Sequence, residues 1–119
     1  MKYYLALRFR GRPDLHMTVN YYSELSSEAI DLLRIAVDEE IRVHRQSAFS
    51  LTLDKVVWVG PRNSLRALRP STELPSWVSV FAQRSWYPHV TTWEKSLTLV
   101  VDAMAIMCEK EETCRWELR

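Results

Sequence analysis

Hydrophobic and polar residues alternate with a period of two in two stretches near the N-terminus, residues 2–9 and 15–22. This alternation is typical of strands that bury one face. The intervening Gly11-Arg12-Pro13-Asp14 predicts a turn. In the second stretch the predicted core face is Leu15, Met17, Val19 and Tyr21, and the opposite face is His16, Thr18, Asn20 and Tyr22.

The rest of the chain contains five further strand patterns and two helical patterns. Apolar residues at three- and four-residue spacing predict a helix over 27–45, and a second helix is predicted to begin near Thr72 or Pro75 and to run to Arg84. Strands are predicted at 49–59, 65–68, 87–93, 97–107 and 113–118. The order ββαββαβββ indicates an α+β protein with mostly antiparallel sheet.

Length and charge narrow the class of protein. A chain of 119 residues can bury one core, which predicts one domain over residues 1–119. We expect a cytoplasmic protein, because the N-terminus lacks a secretory pattern and the apolar runs are too short for a membrane span. A net charge of +1 argues against a protein that coats long duplex nucleic acid, although arginine outnumbers lysine by twelve to four and arginine suits phosphate recognition.

The two cysteines, Cys108 and Cys114, flank an acidic stretch that is predicted to turn between strands. A disulfide across this hairpin is geometrically conceivable, but two reduced thiols are favoured in a cytoplasmic protein. Two cysteines without a neighbouring histidine are a poor metal site, and the sequence offers no convincing carboxylate cluster. We therefore expect neither a metal nor another cofactor.

Two short segments combine histidine and threonine in the same H-x-T pattern. They are Leu15-His16-Met17-Thr18-Val19 and Pro88-His89-Val90-Thr91-Thr92, one in each half of the chain. In a strand, this spacing places the histidine and the threonine on one face and an apolar residue on the other. Each segment follows a turn or a proline, and each predicts polar side chains that point away from the core.

With these two segments, nearly the whole chain resembles the two-histidine phosphoesterases of the LigT-like group, whose signature is a pair of H-x-T/S motifs. Tyr4-Leu5-Ala6-Leu7 is similar to the opening strand of that family, and residues 49–60 are similar to the strand pair after its first helix. The resemblance implies a bilobal α+β fold of two mostly antiparallel sheets. Each lobe would carry one helix, and a central cleft would separate the lobes.

The resemblance also implies a phosphodiesterase in which His16 and His89 form an acid–base pair. Imidazole can accept and donate a proton near neutral pH, and the hydroxyls of Thr18 and Thr91 can donate to the non-bridging oxygens. The implied substrate is a nucleotide or short oligonucleotide whose phosphodiester involves a ribose 2′-oxygen. The family's substrates include 2′,3′-cyclic phosphates, 2′-5′ linkages and the oligonucleotides of antiviral signalling, which compact viral or phage members degrade.

Five further residues are candidates for substrate binding. Tyr4 and Arg8 are expected to project from the neighbouring strand on the cleft face, and Asn20 to order a phosphate or ribose. Tyr22 and Trp93 are expected to stack on a base. Core or rim packing is the alternative for each aromatic residue.

Two other functions fit the same sequence. A catalytically silent member of the fold would bind and sequester a nucleotide or an RNA end. Alternatively, the two H-x-T units are accidental in an α+β interaction domain, which predicts that His16 and His89 lie far apart. The sequence does not assign which histidine is the base.

Overall fold

A computed structural model of the chain describes residues 2–119. The first two strands are β1, Tyr3–Phe9, and β2, Arg12–Tyr22, which form an antiparallel hairpin. Gly11 lies in the turn with a φ of 71°, a left-handed conformation that favours glycine. The predicted turn is confirmed, although β2 begins at Arg12, three residues earlier than the alternation indicates.

The remaining strands complete a sheet of seven antiparallel strands among the described residues. Their bounds are β3, Phe49–Val59; β4, Leu65–Pro70; β5, Val90–Thr91; β6, Leu97–Cys108; and β7, Glu111–Glu117. The order across the sheet is β2-β1-β6-β3-β4-β5, and β7 pairs with β6 beside this path. The α+β class and the antiparallel pairing are confirmed.

The prediction of two separate sheets is wrong, because β6 joins all the strands into one. This twelve-residue strand pairs with β1 along most of its length and with β3 through Leu97–Val101. Its C-terminal half, from Ala103 to Cys108, also pairs with β7. Because β6 pairs with three other strands, the sheet is continuous and does not divide into two.

Two helices cover one face of the sheet. Helix α1, Ser27–Asp38, begins at Ser26, whose side chain accepts a hydrogen bond from the Ala29 amide, and continues as a π-helical turn over Glu39–Val43. Helix α2, Ser76–Phe81, is shorter than predicted. The predicted strand over 87–93 is also too long, because just Val90 and Thr91 pair in the sheet.

The main core lies between the sheet and the two helices. Leu7, Met17 and Met104 are fully buried in it from the sheet, and Val37 and Val78 from the helices. A second, smaller cluster lies on the opposite face of the sheet and consists of Tyr4, Ala6, Ala105 and Met107. Polar side chains of β2 share this second face.

The two cysteines lie on the hairpin formed by β6 and β7. Cys108 and Cys114 are both free thiols, and their register partners across the β6–β7 hairpin are Glu111 and Ile106, respectively. They therefore do not face each other directly.

Among residues 2–119, no helix has the length and apolar character needed to cross a membrane.

Candidate active site

Both H-x-T units open onto one small hollow. The residues that line it are His16 and Thr18 from β2, His89 and Thr91 from the β5 segment, and Asp14. The volume of the hollow is about 80 Å³. One water molecule occupies about 30 Å³ of liquid, so the space admits a group the size of two or three waters. Four of the five side chains are those that the motif spacing indicates.

The hollow forms because the chain before β5 runs alongside β2. The Trp86 indole Nε1 donates a hydrogen bond to the Thr18 carbonyl at 2.8 Å. The Gln83 amide donates to the Val19 carbonyl at 3.2 Å, and the Gln83 side-chain oxygen accepts from the Tyr21 amide at 3.1 Å. These bonds fix residues 83–86 to the strand that carries the first motif, although β2 and β5 lie at opposite ends of the strand order.

Two arginines of β4 hold the second motif from the other side. Arg66 Nη1 donates to the carbonyls of Thr92 and Glu94, at 3.0 and 2.6 Å. Arg69 Nε donates to the Pro88 carbonyl at 3.3 Å, and its guanidinium lies 3.8 Å from the centroid of the Tyr87 ring. These bonds anchor the irregular backbone around β5, which is two residues long, to the sheet.

The backbone orients the His89 ring. His89 Nδ1 lies 2.7 Å from the Tyr87 carbonyl oxygen, and a carbonyl oxygen can act only as an acceptor. Nδ1 is therefore the protonated nitrogen of this pair. This assignment leaves Nε2 as the ring nitrogen that can exchange a proton with a ligand.

His16 is half-buried and lies against an aromatic ring and a cation. Its ring centroid is 5.3 Å from that of Tyr4, and Arg8 is its register partner on β1. Burial lowers the pKa of His16 below its ordinary value of about 6.5, and the positive charge of Arg8 and the proximity of His89 lower it further. The neutral imidazole is the favoured form of His16 near neutral pH.

The Arg8 guanidinium already has partners within the protein. It is 9% exposed, its Nη2 donates to the Pro13 carbonyl at 3.0 Å, and its Nε lies 2.9 Å from a carboxylate oxygen of Glu112. These contacts hold the charge beside His16. They favour an electrostatic effect of Arg8 on His16 over the direct substrate contact that the sequence indicates.

A network of three charged side chains at the hollow was not foreseen from the sequence. Arg12 contacts Asp14 at 2.9 Å and Glu94 at 2.6 Å, which joins the start of β2 to the loop after β5. The hydrogen bond from Arg12 lowers the pKa of Asp14. A signal for Asp14 was present, because it lies two positions before His16 and the strand alternation places both on one face.

A β-bulge at Val19 changes the faces of the residues that follow. Leu5 pairs with Asn20 while Ala6 pairs with Thr18, so Val19 is the extra residue. The expectation that Asn20 and Tyr22 share the face of His16 is therefore corrected. Asn20 Nδ2 donates to the Phe81 carbonyl at 3.0 Å, and Tyr22 packs against the main core, where burial raises its pKa.

The same bulge turns Tyr21, which was predicted to face the core, onto the face of the hollow. Tyr21 is 54% exposed and stacks on Tyr4, with ring centroids 5.7 Å apart and planes within 4°. Tyr4 thus lies between His16 and Tyr21, and its hydroxyl donates to the Glu109 carbonyl. No glycine or proline within residues 15–22 marks the position of the bulge.

Trp93, the other predicted stacking residue, lies outside the set of side chains that line the hollow. It is 75% exposed and meets Trp58 edge-on, with ring centroids 5.9 Å apart. Thr92, its neighbour, is buried instead. Burial still alternates over residues 90–93, but the chain bends at Trp93, and the Trp93 ring lies against Trp58 instead of in the hollow.

Residues 2–119 contain no group of three or more His, Cys, Asp or Glu side chains placed to hold a metal ion. Asp14 is the one carboxylate among the side chains that line the hollow. Its hydrogen-bond partner is Arg12, at 2.9 Å.

Comparison with solved structures assigns the chain to the LigT fold. Its structure matches that of a phosphoesterase with a TM-score of 0.65 and 15% sequence identity, over 98% of both chains. At this identity the likeness establishes the fold. No family model matches the sequence, and no curated protein matches it significantly.

LigT of E. coli is among the matching structures. In its apo form it matches with a TM-score of 0.67 and 17% identity, over 98% of this chain and 96% of that chain. The E. coli protein complexed with 3′-AMP matches with a TM-score of 0.66 and 15% identity, over 98% and 97% of the two chains. Further structures of that protein hold NADP+ and ATP. The LigT-like fold implied by the resemblance is confirmed.

Proposed function

We propose that this protein is a metal-independent phosphodiesterase that cleaves a nucleotide or short oligonucleotide at a phosphodiester involving a ribose 2′-oxygen. The observation that carries the proposal is the convergence of His16, Thr18, His89 and Thr91 on one hollow. The nucleotide complexes of E. coli LigT, which shares the fold, support a nucleotide ligand. A cytoplasmic, single-domain enzyme fits this proposal.

The size of the hollow supports a phosphate group as the part of the substrate that enters it. Sites for whole small molecules usually measure about 300–1,000 Å³, and this one measures about 80 Å³. A phosphate fits such a space, whereas a nucleoside does not. The sugars and bases of the substrate would therefore lie on the surface around the hollow.

Two proton transfers account for the cleavage. Neutral His16 accepts the proton of the attacking hydroxyl or water as its oxygen bonds to phosphorus. Protonated His89 donates from Nε2 to the leaving oxygen as the second phosphorus–oxygen bond breaks. The lowered pKa of His16 supports its assignment as the base, because a base must be neutral to accept a proton.

The threonine hydroxyls complete the proposed mechanism. Thr18 and Thr91 donate to the non-bridging oxygens, where negative charge develops in the transition state. Their side chains line the hollow with the two histidines. Every proton in this scheme passes through an imidazole, so no step is assigned to a metal ion.

The first test is a substrate panel assayed in the presence of EDTA. It contains nucleoside 2′,3′-cyclic phosphates, 2′-5′ and 3′-5′ dinucleotides, and cyclic di- and trinucleotides. We expect turnover in the presence of EDTA. It should be confined to phosphodiesters in which a ribose 2′-oxygen is either bonded to phosphorus or free to attack it. Activity that disappears with EDTA and returns with a divalent cation would contradict the proposal.

The second test separates an enzyme from a binding protein of the same fold. His16→Ala and His89→Ala should each reduce kcat by a factor of about 10² to 10⁴ and retain nucleotide binding. His44→Ala is the matched control, since His44 lies at the end of the π-helical turn and away from the hollow. Binding without turnover in the unsubstituted protein would support sequestration instead.

A further inference from the structure

The hollow has a larger cavity as its neighbour on the β1–β2 side. This cavity measures about 580 Å³ and is lined by Lys2, Tyr21, Cys108, Glu109, Lys110 and Glu111. Its size falls in the usual range for small-molecule sites. Four elements form it: the chain before β1, the end of β2, the end of β6 and the turn into β7.

A row of three rings in contact connects this cavity to the hollow. His16 lies in the hollow, Tyr4 contacts the His16 ring, and Tyr21 stacks on Tyr4 and lines the cavity. Tyr4 is 8% exposed, whereas Tyr21 is more than half exposed. Tyr21 is thus the ring at which this aromatic row becomes open to a ligand.

The charges around the cavity balance. Lys2 and Lys110 contribute two positive charges, and Glu109 and Glu111 contribute two negative charges. A second phosphate would meet the carboxylates as well as the ammonium groups. A nucleoside suits this lining better, because its base and ribose offer both donors and acceptors and its base can stack on an exposed tyrosine.

We infer that this cavity is a nucleoside subsite in which the base stacks on Tyr21, with the scissile phosphate in the hollow beside it. The inference rests on the proposed phosphodiesterase function. It names a substrate with an unphosphorylated nucleoside on the His16 side of the phosphorus. A dinucleoside monophosphate is such a substrate, whereas a terminal phosphate on that nucleoside would approach Glu109 and Glu111.

The kinetic test compares two substrates with the same reacting group: 2′-5′ adenylyl-adenosine, and its analogue in which a methyl riboside replaces the adenosine that carries the attacking hydroxyl, so that this nucleoside lacks a base. The quantity measured is the ratio of their kcat/KM values. Tyr21→Ala should lower this ratio about tenfold, which corresponds to about 1.4 kcal/mol, because the base can no longer stack on an aromatic side chain. Tyr21→Phe, which retains the ring, should leave the ratio near that of the unsubstituted protein.

An equal loss on both substrates would overturn the inference, since Tyr21 would then act by supporting Tyr4. An unchanged ratio in Tyr21→Ala would overturn it as well. Lys110→Ala provides a second variant in the lining of the cavity, at the turn between β6 and β7. It should lower the ratio severalfold, whereas Lys55→Ala, an exposed lysine of β3, should not.

A binding measurement keeps the test independent of turnover. Adenylyl-adenosine, in its 2′-5′ form, is titrated into His89→Ala, and amide shifts are followed by NMR. We expect the Cys108–Glu111 amides to shift, and the Kd to rise about tenfold when Tyr21→Ala is added. If no phosphodiester is turned over by the unsubstituted protein but these shifts occur, the enzyme proposal fails and the subsite stands. Shifts confined to residues elsewhere would reject the subsite.

Discussion

Arg8 and His16 face each other as register partners on β1 and β2, and the guanidinium of one lies beside the imidazole of the other. Contacts with the Pro13 carbonyl and the Glu112 carboxylate hold the charge of Arg8 beside His16. The charge disfavours a second positive charge on His16. Burial acts in the same direction and is the larger cause of the lowered pKa of His16.

The first prediction concerns the pH dependence of cleavage. A base must be neutral to act, and a lowered pKa keeps His16 neutral to a pH below the ordinary histidine value of about 6.5. The acid limb of the kcat/KM profile should therefore fall below that value. The profile should be bell-shaped, with the alkaline limb reporting deprotonation of the acid. An acid limb at or above 6.5 would contradict the assignment of His16 as the base.

The second prediction isolates the contribution of Arg8. Arg8→Gln removes the cation, and the Glu112 carboxylate keeps Arg115 as a partner at 2.8 Å. The pKa of His16 should rise, because the imidazolium form is no longer repelled. The midpoint is measured by NMR titration of the His16 ring proton, and Arg10→Gln, an exposed arginine just beyond β1, is the control. No movement of the midpoint would rule out the electrostatic effect.

The third prediction concerns the hydroxyl of Thr18. Thr18→Val keeps the shape of the side chain and removes its donor, and we expect kcat to fall by about 10² with little change in KM. Thr18→Ser, which retains the hydroxyl, should keep most of the activity. Steady-state kinetics on the preferred substrate of the panel distinguishes them. Equal losses in both variants would point to packing rather than to hydrogen bonding.

The fourth prediction tests the bond between Trp86 and the first motif. Trp86→Phe removes the indole donor to the Thr18 carbonyl and keeps an aromatic ring against the core. The free energy of unfolding should fall by about 1 kcal/mol, the usual contribution of one hydrogen bond. Urea denaturation measures this loss. Trp58→Phe, at an exposed position, should be close to neutral.

The fifth prediction tests the bulge. Asn20→Ala removes a hydrogen bond to the Phe81 carbonyl, so stability should fall by about 1 kcal/mol. Because the bulge turns Asn20 away from the face of His16, KM for the preferred substrate should not change. A raised KM with unchanged stability would restore Asn20 to the substrate-binding set.

The regular parts of this fold were predictable because they depend on local periodicity. β2 alternates from Leu15 to Thr18 and β6 is a long apolar run, and both strands lie within three residues of the bounds that these patterns predict. The two H-x-T units were found for the same reason. Their spacing of two residues has a fixed meaning in a strand.

The irregular parts depend on tertiary contacts, which local periodicity does not report. An insertion of one residue at Val19 moves Asn20, Tyr21 and Tyr22 to the opposite faces, and nothing in their sequence marks it. The second motif is held mainly by side-chain bonds from β4 to backbone carbonyls, with two residues of strand pairing. Two separate sheets were expected because the resemblance implied them, whereas the length of β6 connects the strands.

The strand order has one more consequence. His16 lies on β2, the first strand of the β2-β1-β6-β3-β4-β5 path, and His89 directly precedes β5, the last. The curvature of the strands between them and the bonds from residues 83–86 to β2 together set the gap between the two rings. Each strand adds its twist to that of its neighbour, so a small change in twist at the middle strands changes the separation of the two edges of the sheet. Substitutions at a buried centre such as Met104 can thus widen or narrow the gap without touching a ligand.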